Sequence, residues 1–143
     1  MKFTLISLTI LTAAFLWLAC KHPKYTSDKL PEKQIRWGNG GGFAGKESSH
    51  ILCDNGQIFS RDILGKTSEA GKTKGKKAKE IFETIESQRL AKMEFHHPGN
   101  IYYFLEFQDG DMVSRVVWGD KNFSVGKAVE DLFRELNDLL KKE

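Results

Sequence analysis

A glycine-rich run in the first third of the sequence has the spacing of two phosphate-binding motifs. Residues 40–45 fit G-x-G-x-x-G, and residues 40–46 fit most of a P-loop. A dinucleotide-binding fingerprint must open a helix, whereas residues 48–53 have the apolar character of a strand. A P-loop lysine is followed by Ser or Thr, but Glu47 follows Lys46 and places a negative charge where phosphate would lie. We therefore predict neither a phosphate site nor a bound cofactor.

The same run is a candidate interaction loop. Consecutive glycines permit positive φ angles and close backbone approach, which tight turns require. A large aromatic side chain stands among them, and it either packs inward or projects as an anchor for a partner. The predicted interaction loop comprises Gly40, Gly41, Gly42, Phe43 and Gly45.

The histidines offer metal-ligand types without metal-ligand spacing. His96 and His97 are adjacent, so in a strand they point to opposite faces, and His-Glu-x-x-His does not occur in the sequence. We therefore predict loop histidines and no metal site. The sequence also lacks the local signature of a Ser–His–acid hydrolase. A small envelope enzyme whose Ser, His and Asp residues are assembled only by the fold stays open as an alternative.

The N-terminus has the pattern of a bacterial lipoprotein signal peptide. A lysine at position 2 precedes seventeen uncharged residues, 3–19, and Ala19-Cys20 ends the run. Trp17 departs from the leucine that is usual three positions before the cysteine. We predict cleavage before Cys20, lipidation of its thiol and acylation of its amine, which together hold a protein firmly on a membrane. The alternatives are an uncleaved membrane anchor and a plain secretory signal.

Cys53 is the second cysteine, and its sequence environment indicates a buried side chain. It ends the apolar stretch Ile51–Cys53, where a cysteine usually serves as a small hydrophobe. A reactive thiol needs a partner that lowers its pKa, and His50 would lie on the opposite face of a strand. Two cysteines are also too few for a disulfide framework.

Composition divides the chain into three parts. Residues 1–19 form the predicted signal peptide, and residues 20–34 form the lipidated cysteine and a flexible tether that mixes Lys, Pro, Ser and Asp. Residues 35–143 form one α+β domain. The formal charge of +3, from 22 basic and 19 acidic residues, is too small to indicate nucleic-acid binding.

The segment from Lys66 to Lys79 carries six lysines against one glutamate and contains two glycines. It is predicted to be an exposed, mobile loop. Its solvated lysines are also candidates for contact with anionic lipid headgroups or with a polyanion. The candidate basic contact loop comprises Lys72, Lys74, Lys76 and Lys77.

Apolar periodicity places the remaining elements. Strands are predicted at 35–37, 48–53, 57–63, 101–107 and 112–118, with tight turns at Asp54–Gly56 and Asp109–Gly110. Residues 77–90 have one apolar helical face, and residues 125–140 have a stronger one with Ser124 as its N-cap. The order ββ(β)αββα predicts an antiparallel sheet of four to five strands with two helices packed on one face and no parallel crossover.

Two resemblances follow from these motifs. The run Trp37–Gly45, with Gly99–Tyr103 and Trp118–Asp120 behind a lipobox and tether, resembles small exported bacterial lipoproteins of unassigned role. The stretch Gly41–Gly45 before a β-rich region and a C-terminal helix is similar to emfourin-type inhibitors of thermolysin-like metalloproteases. The second resemblance implies protease inhibition, and no inhibitory residue is assigned from it.

The leading functional hypothesis is a non-enzymatic, membrane-anchored module that binds a protein or peptide partner in the bacterial cell envelope. Its expected location is lipid-anchored through Cys20, facing the periplasm or the cell surface. Inhibition of a thermolysin-like metalloprotease is the specific alternative within this class. The sequence does not predict an oligomeric state.

Overall fold

The computed structural model describes residues 24–141. The predicted signal peptide and Cys20 lie outside these residues. The strands are β1 (Gln34–Gly41), β2 (Ser48–Cys53), β3 (Gln57–Arg61), β4 (Thr67–Lys72), β5 (Phe95–His97), β6 (Ile101–Asp109) and β7 (Met112–Trp118). The helices are α1 (Gly75–Ser87) and α2 (Lys127–Leu139), and a 3₁₀ turn, Leu90–Lys92, follows α1.

The chain is α+β, as predicted, but its sheet is larger and differently ordered. The described residues form a seven-stranded sheet in the order β4-β3-β2-β1-β6-β7-β5. Neighbouring strands are antiparallel except β5 and β7, which are parallel. The predictions of four to five strands and of no parallel pair were therefore wrong. The observed element order is ββββαβββα.

The two additional strands explain the difference. β4 is an edge strand with no fully buried side chain, so its sequence shows no alternation of apolar residues. β5 has only three residues. The segment predicted as a mobile lysine loop is therefore mostly regular structure, since it contains β4 and the first turns of α1.

Both helices pack on one face of the sheet and form the main core. Ile81 and Ile85 of α1 and Leu132 and Leu136 of α2 belong to one buried cluster with Trp37 at the centre of the sheet. The indole N–H of Trp37 donates a hydrogen bond of 3.3 Å to the side-chain oxygen of Asn137 on α2. Helix α2 begins after Gly126, which makes no side-chain cap, so the prediction of Ser124 as N-cap was wrong.

Part of the predicted flexible tether contacts the opposite, open face of the sheet. We call residues 24–33 the strap. The backbone N–H of Tyr25 donates to the side-chain oxygen of Gln57 at 2.7 Å, and the Gln57 amide donates back to the Tyr25 carbonyl at 3.2 Å. Tyr25 and Leu30 pack against a buried cluster of Ile51, Cys53 and Phe59. Burial and a hydrogen bond to Asp54 raise the pKa of Tyr25 to about 12.

The strand directions give the sheet two ends with different loops. The strap, the Asp54–Gly56 turn, the β6–β7 turn and the start of α1 lie together at one end, which we call the strap pole. The other end, the tip pole, carries the β1–β2 loop, the β3–β4 loop, residues 98–100 and the connection from β7 to α2. Within residues 24–141, helices are too short or too polar to span a membrane.

Candidate interaction surface

The glycine run is shaped by the strand beside it. β1 pairs with β6, which places Gly40 opposite Tyr102 and Gly41 opposite Ile101. A Cβ at Gly40 would lie 2.6 Å from the Tyr102 hydroxyl, and one at Gly41 would lie 2.2 Å from the carbonyl oxygen of Asn100. Side chains are therefore excluded here because the neighbouring strand occupies the space.

The turn that follows is held in one conformation. The N–H of Gly42 donates to the Asn100 carbonyl at 2.7 Å, and the N–H of Gly45 donates to the Gly42 carbonyl at 3.2 Å. Gly41, Gly42 and Gly45 all have positive φ. The glycines thus build a tight loop that is fastened to Asn100, just before β6.

Phe43 projects from this loop with its side chain completely exposed. Of the two orientations left open by the sequence, the structure shows the outward one. Burying a phenylalanine side chain stabilises a structure by about 1.5–3 kcal/mol. The isolated domain does not gain this free energy, because the Phe43 side chain stays in solvent. A fully exposed aromatic ring on a fixed loop is therefore the side chain here with the most to gain from a partner.

Other exposed apolar side chains lie on neighbouring loops of the same pole. Ile63 and Leu64 occupy the β3–β4 loop, Ile101 begins β6 beside the glycine turn, and Phe123 follows β7. Adjacent strands are spaced by about 4.8 Å, so the hairpin ends carrying Phe43 and Leu64 lie roughly 10 Å apart. The tip pole therefore presents several apolar side chains across the end of the sheet.

Local hydrogen bonds also fix these neighbouring loops. The Asp62 carboxylate accepts the N–H groups of Leu64 and Lys66, each at 2.9 Å. The ring of Phe123 stacks on His97 with a centroid distance of 3.8 Å. Loops that are ordered before binding lose less conformational entropy when they bind.

A polar network, which the sequence analysis missed, occupies the centre of the open sheet face. Arg36, Glu106 and Arg115 lie side by side on β1, β6 and β7, and Glu106 bonds to both guanidinium groups at 3.1 and 3.2 Å. Glu47 bonds to Arg115 and accepts the Tyr102 hydroxyl at 2.9 Å. Burial and this hydrogen bond raise the pKa of Tyr102.

Both guanidinium groups also cover an apolar ring. The Arg115 and Arg36 guanidinium carbons lie 4.0 and 5.4 Å from the centroid of the buried Phe104. The carboxylates are thus paired with cations, and the cations are stacked on an aromatic face. The network therefore covers the centre of the open sheet face with charges that are already paired with one another. The network depends on the register of β1, β6 and β7, so no local sequence signal could have predicted it.

The prediction of loop histidines was wrong for the described histidines, because His50 lies in β2 and His96 and His97 lie in β5. His50 Nδ1 lies 3.1 Å from the Ser60 hydroxyl, and burial lowers the pKa of His50. No carboxylate contacts the other nitrogen of His50 among residues 24–141, so this Ser–His pair lacks the third group of a triad there. His97 stacks on Phe123 and meets the ring of Phe95 edge to face. No cluster of three or more metal-ligand side chains occurs in the described part of the chain.

Cys53 and the predicted basic residues lie towards the strap pole. Cys53 is fully buried beneath the strap, and burial raises its pKa to about 12. Lys72 is the last residue of β4, and Lys74 occupies the N-cap position of α1. Lys76 and Lys77 lie in the first turn of α1. The structure therefore separates the predicted interaction loop and the predicted basic residues into opposite poles.

The chain matches no protein-family model and no curated protein. The resemblances to small lipoproteins and to emfourin-type inhibitors therefore stay predictions.

Proposed function

We propose that this chain is a lipid-anchored bacterial envelope protein whose tip pole binds a protein or peptide partner. The observation that carries the proposal is Phe43, held fully exposed on a hydrogen-bonded turn. Single exposed hydrophobic residues are common on protein surfaces. A set of them on several fixed loops at one pole is typical of an interaction surface.

The shape of the tip favours a partner with a concave site. Phe43 stands on a hairpin loop that extends beyond the strands, so it can enter a groove or pocket of another protein. Inhibition of a thermolysin-like metalloprotease is the specific form of this proposal, in which the loop would enter the enzyme's cleft. Slower proteolysis by such an enzyme, with Phe43→Ala abolishing the effect, would support it. Full protease activity with the protein in excess would rule out protease inhibition.

Site-specific crosslinking tests partner binding directly. A photoreactive phenylalanine analogue at position 43 should give a discrete adduct in intact cells, because position 43 lies in the proposed interface. The matched control carries the analogue at Met112, which is also exposed, at 72% against 112% for Phe43, but lies at the strap pole. Adducts of the same size from both positions, or none from position 43, would contradict the proposal.

The proposed anchor has its own test. Cys20→Ser removes the thiol that receives lipid, so the protein should move from the membrane fraction to the soluble fraction of the cell. Cys53→Ser is the control, since its thiol is buried in the domain. An unchanged distribution of the Cys20→Ser protein would show that lipid on Cys20 does not hold it.

A further inference from the structure

The strap pole carries a basic surface at the start of α1. A hollow of about 660 Å³ is lined by Lys33, Lys72, Lys76 and Lys79, with Asp54 as the acidic residue. Lys74 occupies the N-cap position beside it. We use "basic surface" for Lys72, Lys74 and Lys76.

The lysines of the basic surface are not neutralised within the domain. Lys33 pairs with Glu86 at 2.6 Å and Lys79 with Glu83 at 3.6 Å. Lys72, Lys74 and Lys76 make no ion pair with any residue in 24–141. The first turn of α1 also contains no acidic residue, although the positive end of a helix dipole favours one. Positive charge is therefore concentrated where the helix already presents its positive end.

The chain from Cys20 reaches the domain at this same pole. Tyr25 is fastened beside the Asp54–Gly56 turn by its two hydrogen bonds to Gln57. Cys20 precedes Lys24 by four residues, and an extended chain spans at most about 3.6 Å per residue. A lipid on Cys20 is thus within roughly 15 Å of the strap pole along the chain.

We propose that the strap pole lies against a bilayer containing anionic lipid, with the basic surface on its headgroups. This inference rests on the proposed lipid anchor. The strap itself is nearly balanced, since Asp28 and Glu32 offset Lys24 and Lys29, and the third lysine, Lys33, is paired with Glu86. The basic surface therefore supplies the attraction, which acts within about a Debye length of the membrane. The tip pole, with Phe43, then faces away from the membrane towards partners in the aqueous compartment.

Hydrogen exchange on vesicles tests this orientation. The full chain is reconstituted into vesicles of phosphatidylcholine alone or of phosphatidylcholine with phosphatidylglycerol at 7:3. We expect amides in residues 73–78 to exchange several-fold more slowly on the anionic vesicles, because headgroups cover them, while amides in residues 42–45 exchange equally on both.

Charge-reversal variants provide the matched controls. Lys72→Glu with Lys76→Glu should abolish the slowing, whereas Lys46→Glu with Lys121→Glu, at the tip pole, should preserve it. Equal exchange of residues 73–78 on both vesicles, or slowing at residues 42–45 instead, would overturn the orientation. Flotation reports the anchor separately: a protein that floats with both vesicles without slowing overturns the orientation alone. A protein that floats with neither overturns the anchor and the orientation together.

Discussion

Individual glycines at the tip have two different reasons to be glycine. Gly41 has a φ of 89° and no room for a Cβ, whereas Gly42 has a φ of 66° and nothing within 4 Å of where a Cβ would lie. The sequence predicted that the run would need positive φ and close approach. It could not assign these requirements to positions, because the close approach comes from Asn100, far away in the chain.

Substitution by alanine should separate the two requirements. Gly41→Ala combines a left-handed backbone cost with a clash against a carbonyl oxygen, so we expect a loss of about 2–4 kcal/mol in the free energy of unfolding. Gly42→Ala carries the backbone cost alone, about 1 kcal/mol. Urea unfolding measures both. Equal losses would show that the strand contact does not exclude a side chain at Gly41.

At the scale of elements, the longest and most periodic segments were predictable. Both helices and the β6–β7 hairpin were predicted from apolar spacing, and β2 and β7 have the predicted bounds. β4 was missed because an edge strand buries little and needs no apolar pattern. The contact of the strap was missed because it depends on Gln57, a polar residue buried by its partners rather than by its own hydrophobicity.

The strap should protect the thiol beneath it. Gln57→Leu removes both hydrogen bonds to Tyr25, and each is worth about 1 kcal/mol, so the strap should open more often. We expect maleimide labelling of Cys53 at pH 8, followed by peptide mass, to become about thirtyfold faster. The control Gln88→Leu changes an exposed glutamine at the end of α1 and should leave the rate unchanged. Identical rates in all three proteins would mean that the strap does not shield Cys53.

At the scale of the molecule, the sheet separates two kinds of surface. The two sets of candidate residues named from the sequence lie at opposite poles. The glycine loop with Phe43 is at the tip pole, and the lysines at the start of α1 are at the strap pole. Their types were readable in the sequence, but their separation depends on strand order and register. The same register builds the Arg36–Glu106–Arg115 network, which pairs its own charges, while the tip loops carry Phe43 and other exposed apolar side chains.

The most direct test of the central claim is the affinity of the crosslinked partner for three forms of the protein. Phe43→Ala should weaken binding at least tenfold, since an aromatic anchor buried in an interface typically contributes at least about 1.4 kcal/mol to binding. Its free energy of unfolding should change by less than about 0.5 kcal/mol, because the side chain is exposed. Met112→Ala, the exposed control at the strap pole, should bind like the unmodified protein. Unchanged affinity for Phe43→Ala, or equal weakening by Met112→Ala, would contradict the account.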